Sequence, residues 1–170
     1  MVASLHDRHY IHHDIKPSNF MIQVDDVCPT IFLINFGLAR QFCNPATYLH
    51  TPYITKHSII GTLPFTSING QQGCAQSHRD NLESLAYTII FFTRGNLLCK
   101  GLPPPFSKFI IYICSLGFNK KPDYTHLHAI LLQCSETDQQ VLPFSAPPPG
   151  TNHTPHLNDH VWVTSFIDNL

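Results

Sequence analysis

Charge is what this sequence has least of. Asp, Glu, Lys and Arg make up 12% of 170 residues, about half the usual quarter, so the polar surface has to come from Ser, Thr, Asn, Gln and His. The balance is near neutral at −1, which leaves no basic footprint for nucleic acid or an anionic membrane. Long apolar runs are also missing. The longest, "LAYTIIFF" at 85–92, falls far short of a membrane span. The opening "MVASLHDRHY" has neither the basic stretch nor the apolar core of a secretion signal. The Cys residues at 28, 43, 74, 99, 114 and 134 form no C-x-x-C pair, so they read as thiols in a reducing compartment. These absences point to an intracellular protein, cytoplasmic or nuclear, with neither membrane nor nucleic acid as partner.

What is present is enough for one domain. A hydrophobic share of 43% over this length supports an ordinary core. Residues 2–11 read as the end of a helix, with Leu5, His9 and His12 at helical spacing. Two strand-like runs, "FMIQV" (20–24) and "IFLI" (31–34), flank the turn-rich "DDVCPT". An irregular Pro/Thr/Gly-rich stretch covers 41–78. Leu82, Leu85, Ile89 and Phe92 mark one face of a helix from Asn81 to Thr93, ended by Arg94-Gly95. Further helices fit 105–118 and 122–133, the last with Pro122 in its first turn and Asp123 favouring its N-terminal dipole. From 134 the periodicity fades into Pro, Gly and polar residues, and 134–170 reads as a flexible Pro-rich tail.

Chemistry concentrates in "YIHHDIKPSNF" at 10–20. Phosphoryl transfer needs an acidic group to orient a hydroxyl, a cation beside the moving phosphate, and oxygen ligands for metal. Asp14, Lys16 and Asn19 offer these in one loop. "LINFGLA" (33–39) follows a hydrophobic strand, where a second metal ligand belongs, and Asn35 occupies that place. The spacing resembles H-R-D-x-K-x-x-N followed by D-F-G. In the same order come "GTLPFTSING", "QSHRDNLESLAY", "FFTRGN" and "KPDY". Together these resemble the C-terminal lobe of the casein kinase 1 family of Ser/Thr protein kinases, over about residues 3–133, with Ser67-Ile68-Asn69 in the place of A-P-E.

The resemblance implies a mainly helical, truncated kinase large lobe with a short β-hairpin near the catalytic loop. It assigns 1–133 to a partial kinase domain, with ATP and Mg²⁺ as cofactors and a protein Ser/Thr hydroxyl as substrate. It implies Asp14 as base, Lys16 steadying the γ-phosphate, Thr62 tying the activation segment to both, and Asn19 and Asn35 at the nucleotide-bound metals. It also exposes departures. The Gly-rich loop, the strand Lys and its helix Glu of the small lobe have no counterpart. Asn35 replaces the metal-binding Asp, and an amide brings Mg²⁺ no charge. His13 replaces an always-charged Arg. Asn81 replaces the helix Asp that braces the loop; it can still cap the helix, with a weaker grip on backbone N–H groups. Pro64 stands where an Arg recognises acidic substrates. Near 96–99 the Pro-Trp loop and the following helix of the family pattern are expected to be excised.

The expectation is therefore a pseudokinase-like chain that transfers no phosphate alone, the alternatives being a non-catalytic binding module, serving a scaffold partner, or a degenerate gene product. His6, His9 and His13 share a helical face and offer a Zn²⁺ site. No Cys or carboxylate completes it nearby, so they read as solvated or loosely packed. The Pro run 147–149 reads as plain tail rather than a ligand for an SH3-like domain.

Overall fold

The computed structural model describes residues 1–23, 30–95, 97 and 102–137. Helix α1 (Val2–Asp7) ends two residues before His9, which takes a left-handed φ of 66°. A bulky residue there cannot continue a right-handed helix, so α1 stops short of residue 11. Tyr10–Ile11 instead forms β1, paired antiparallel with β4 (Arg40–Gln41). The two strand-like runs form β2 (Phe20–Gln23) and β3 (Thr30–Leu33), antiparallel with Phe20 opposite Leu33. The turn between them lies outside the described residues. A short 3₁₀ turn, Pro17–Asn19, links the loop at 12–16 to β2, and another, Phe36–Leu38, follows β3.

The stretch before the main helix is irregular, as its composition predicts. It holds an isolated Cys43–His50 bridge, a 3₁₀ turn at Leu63–Phe65 and the one-turn helix α2 (Ile68–Gln71). Helix α3 (His78–Arg94) then runs through the centre. It begins earlier than apolar spacing suggests because the start signal is polar: Asp80 accepts the Ser77 N–H at 2.8 Å, the carboxylate half of a capping box. Asn81 therefore does not cap; it is the fourth residue of the helix. Gly95, at φ 68°, closes the other end.

Helix α4 (Pro104–Ser115) packs on α3, and α5 (Tyr124–Thr137) packs on α4. Asp123, rather than Pro122, sets the start of α5, since its carboxylate accepts the His126 N–H at 2.9 Å. The helix continues through Thr137, past the 133 boundary expected from periodicity; residues 138–170 lie outside the described residues. So does most of the 96–99 junction.

Val2, Ile15, Leu82, Leu85, Ile90, Phe109, Ile113 and Ile130 form one core that joins α1, the loop and α3–α5. Burying each large aliphatic side chain stabilises by about 1.5–3 kcal/mol. Leu82 and Leu85 are core as expected, but α3 buries far more than one stripe. Asp80, Asn81, Glu83, Ser84 and Thr88 are buried as well; Asp80 and Glu83 bond to the segment at 67–69 and Asn81 to His13 and His6, while Thr88 donates to the Ser84 carbonyl within the helix. The described part is thus mainly helical, with two small antiparallel sheets.

Candidate active site

The loop at 12–16 is held from three sides. His12 is fully buried. Its Nδ1 accepts the Asp14 N–H at 3.2 Å, and its Nε2 donates to the Ile34 carbonyl at 3.0 Å. That ties the loop to the end of β3, one residue before Asn35. His13 has a left-handed φ of 67°. Its N–H donates to Asn81 Oδ1 at 3.3 Å and its Nδ1 to the Leu38 carbonyl at 3.1 Å. Burial pulls the His13 pKa below the ordinary value, so the ring adds no charge at neutral pH.

Asn81 in turn donates to His6 Nε2 at 3.1 Å, and the other ring nitrogen of His6 meets the Tyr124 hydroxyl. Desolvation drives the His6 pKa well down. A neutral imidazole accepts from a neutral amide, so Asn81 and His6 are matched. His6, His9 and His13 do not converge, and no cluster of three or more His, Cys, Asp or Glu able to hold a metal occurs among the described residues.

Asp14 is buried with both carboxylate oxygens engaged. Oδ1 accepts from the Thr62 hydroxyl at 2.7 Å. Oδ2 accepts from Lys16 Nζ at 2.9 Å and from Asn19 Nδ2 at 3.1 Å. Lys16 Nζ also donates to Thr62 Oγ1 at 2.7 Å, which closes a triangle between the loop and the segment at 62. Burial raises the carboxyl pKa, but the hydrogen bonds from Thr62 and Lys16 and the Lys16 charge outweigh it, and the net direction is down. Such a carboxylate is a weak base, suited to orienting a hydroxyl. Gly61 lets Thr62 come this close. Its φ is +96°, and a Cβ there would sit 2.3 Å from the His13 carbonyl oxygen.

Asn19 and Asn35 also come together. Asn19 Nδ2 donates to the Asp14 carbonyl at 2.7 Å, and Asn35 Nδ2 donates to Asn19 Oδ1 at 3.3 Å. Asn35 itself is left-handed at φ 66°, a conformation Asn tolerates. Mg²⁺ demands oxygen ligands, usually with one or two carboxylates. Here the pair offers two neutral amide oxygens, of which Asn19 Oδ1 already accepts an N–H, and the nearby Asp14 carboxylate is engaged by Thr62, Lys16 and Asn19. These residues do not fit a tightly held Mg²⁺.

The Ser67-Ile68-Asn69 segment is anchored to α3. Ser67 donates to Asp80 Oδ1 at 2.7 Å and Asn69 at 3.2 Å, while Glu83 accepts the Ile68 N–H at 2.9 Å. Pro64, in the 3₁₀ turn just before it, is exposed.

A family model described as fungal protein kinase matches residues 2–93. The chain belongs to the protein kinase family. Within it the chain is casein kinase 1-like. It is 34% identical to casein kinase I homolog 3 of Schizosaccharomyces pombe over 174 aligned positions, which take in 81% of this chain and 39% of that protein. It is also 34% identical to a probable casein kinase I homolog of Encephalitozoon cuniculi over 158 positions, 76% of this chain and 51% of the relative. The kinase-like chain therefore spans about half or less of these relatives. The first alignment has more positions than the whole chain has residues while using 81% of it, so it takes in positions of that relative that have no counterpart here.

Three groups that hold the kinase loop are not assigned by sequence reasoning: His12, Gly61 and His6. His12 and Gly61 lie inside quoted motifs, "HHD" and "GT", where the signal was available. The His6–Asn81 bond spans 75 positions and has no local signature.

Proposed function

We propose that this chain keeps the hydroxyl-orienting half of a casein kinase 1-type Ser/Thr kinase site and, as these 170 residues, transfers no phosphate. Asp14 is the base position, Lys16 the γ-phosphate cation and Thr62 the clamp between them. Asn19 and Asn35 stand at the metal positions in impaired form. His13 and Asn81 are structural. One observation carries the proposal: the metal position is a neutral Asn35–Asn19 amide pair bonded to itself. Charge stabilisation by a bound metal is worth several kcal/mol in phosphoryl transfer, and a neutral pair forgoes most of it. The ATP and Mg²⁺ implied by the family are accordingly bound weakly or not at all. Positions of the relative without a counterpart here suit an internal shortening, and the order of the sequence motifs puts it near 96–99. Free thiols at Cys43, Cys74 and Cys114 support a reducing, intracellular setting.

The test is label transfer from γ-labelled ATP to casein, with Asp14→Ala beside the native chain. Equal, background labelling of both is expected. Labelling by the native chain that Asp14→Ala removes would establish an active kinase and end the proposal.

A second reading, a non-catalytic binding module, draws on apolar side chains exposed near the loop. Met21, Phe32, Phe36 and Leu38 are 39–53% exposed, which suits a protein partner. Their replacement by polar residues should abolish partner capture under this reading and leave it unchanged otherwise.

A further inference from the structure

A row of hydrogen bonds runs from the helices to the kinase loop, and its bonds all point one way. The His13 N–H donates to Asn81 Oδ1 at 3.3 Å, and Asn81 Nδ2 donates to His6 Nε2 at 3.1 Å. The other nitrogen of His6 meets the Tyr124 hydroxyl. The row thus ties the loop to α3, α1 and α5 in turn. Its polarity is fixed at the loop end. A backbone N–H only donates, so the Asn81 amide turns its oxygen to His13 and its nitrogen to His6. His6 accepts that N–H only as a neutral imidazole with its proton on Nδ1.

A proton on His6 breaks this order. An imidazolium has two donors and no acceptor, so its Nε2–H would face the Asn81 N–H. Turning the amide over would satisfy His6 and set the Asn81 N–H against the His13 N–H. In both arrangements two donors meet where His6 is 3% and Asn81 1% exposed, too deep for water to replace the lost acceptor. A carboxylate at position 81 would not behave this way, because it accepts from both sides.

The surroundings of His6 give a proton no relief. From α3 the His78 ring stands 5.2 Å away, and Phe42, just after β4, at 6.2 Å. From α5 comes the Tyr124 hydroxyl, which burial keeps neutral by pushing its pKa up. Burial chiefly, then His78 and the α-amino group of Met1, disfavours a charge on His6. The carboxylates on these helices are engaged elsewhere: Asp7 with Lys121 at 2.9 Å, and Asp80 with Ser67 and Asn69.

We propose that Asn81 is a proton-sensitive brace, which holds the kinase loop at His13 while His6 is neutral and releases it when His6 is protonated. Asn81 and His6 are positioning residues, and the coupling holds whether or not the loop transfers phosphate.

Native-state hydrogen exchange at the His13 amide reads the brace. Its protection should fall about tenfold per pH unit below 6.5, the slope of one linked proton. It should stay below that of the Ile113 amide in the core of α4, which marks local rather than global opening. His6→Gln keeps a neutral acceptor for Asn81 and should abolish the slope. Asn81→Asp should raise the proton affinity of His6 more than tenfold, read from its imidazole nitrogen shifts, and reverse the slope, so that protection rises as pH falls. The His6 signals are those missing in His6→Gln. A native slope that His6→Gln leaves intact overturns the proposal, since another group then supplies the proton. So does His13 protection that is flat with pH or equal to that of Ile113, or a His6 that titrates in Asn81→Asp as in the native chain. His6→Gln decides the matter even if the carboxylate variant fails to fold.

Discussion

Asn35 donates its side-chain N–H to Asn19 Oδ1 across 3.3 Å, so two residues at metal positions of the kinase family satisfy each other. The bond occupies one lone pair of the Asn19 oxygen, and the pair brings no negative charge to a cation. It also gives the loop a metal-free structure of its own.

Restoring a carboxylate there has a signed consequence. In Asn35→Asp an acceptor faces the Asn19 acceptor, and without metal the chain should lose no more than about 1 kcal/mol, the scale of one net hydrogen bond. Millimolar Mg²⁺ should recover that loss in the variant and leave the native chain unchanged. Urea denaturation with and without Mg²⁺ checks both signs.

Thr62→Val keeps the shape of the clamp and removes its hydroxyl. Asp14 then loses its 2.7 Å donor and Lys16 an acceptor. The Asp14 pKa should rise toward the ordinary carboxylate value, readable by NMR titration of its carboxyl carbon. Stability should fall by about 1–3 kcal/mol, as for a hydrogen bond to a charged group.

Asn81→Ala removes two bonds at once. The His13 N–H and His6 Nε2 are both left without their partner in a buried setting, and each unsatisfied buried group costs about 1–3 kcal/mol. A drop in the urea midpoint of that order is expected, without a change in slope.

The pH dependence follows from burial. Desolvation lowers the pKa of His78 to about 4 and that of His6 well below its usual 6.5. Between those values the unfolded chain binds protons that the folded chain does not, so stability is full above pH 6.5 and falls as pH drops toward 4. His78 alone should contribute on the order of 2 kcal/mol after solvent screening is allowed for. Asp14, whose folded pKa is depressed, adds a further loss as pH falls below the usual carboxylate value. Denaturant midpoints measured across this range should decline steadily with acid.

The parts of the site visible in the sequence were those fixed by local spacing. Asp14, Lys16 and Asn19 share one loop because only a few residues separate them. Thr62 is marked by family resemblance alone, since its bonds cross more than forty positions. The helices were legible where apolar spacing ran unbroken, as in α4. In α3 the start was misplaced, because Ser77 and Asp80 encode it in polar chemistry, and half its burial escaped notice. Asn81 is legible as a brace of the loop by resemblance alone, and Asp80 and Glu83 carry no apolar pattern to mark them; all three are buried because neighbouring segments supply their hydrogen bonds. His6, expected to be solvated or loosely packed, is instead buried for the same reason: its partners, Asn81 and Tyr124, are chosen by the fold.

Whether these residues hold Mg·ATP decides between a silent and a working site. Isothermal titration of the native chain with ATP and Mg²⁺ tests that most directly. The neutral Asn35–Asn19 pair predicts no saturable heat at millimolar nucleotide, whereas a saturable, Mg²⁺-dependent isotherm abolished by Asn19→Ala would contradict it.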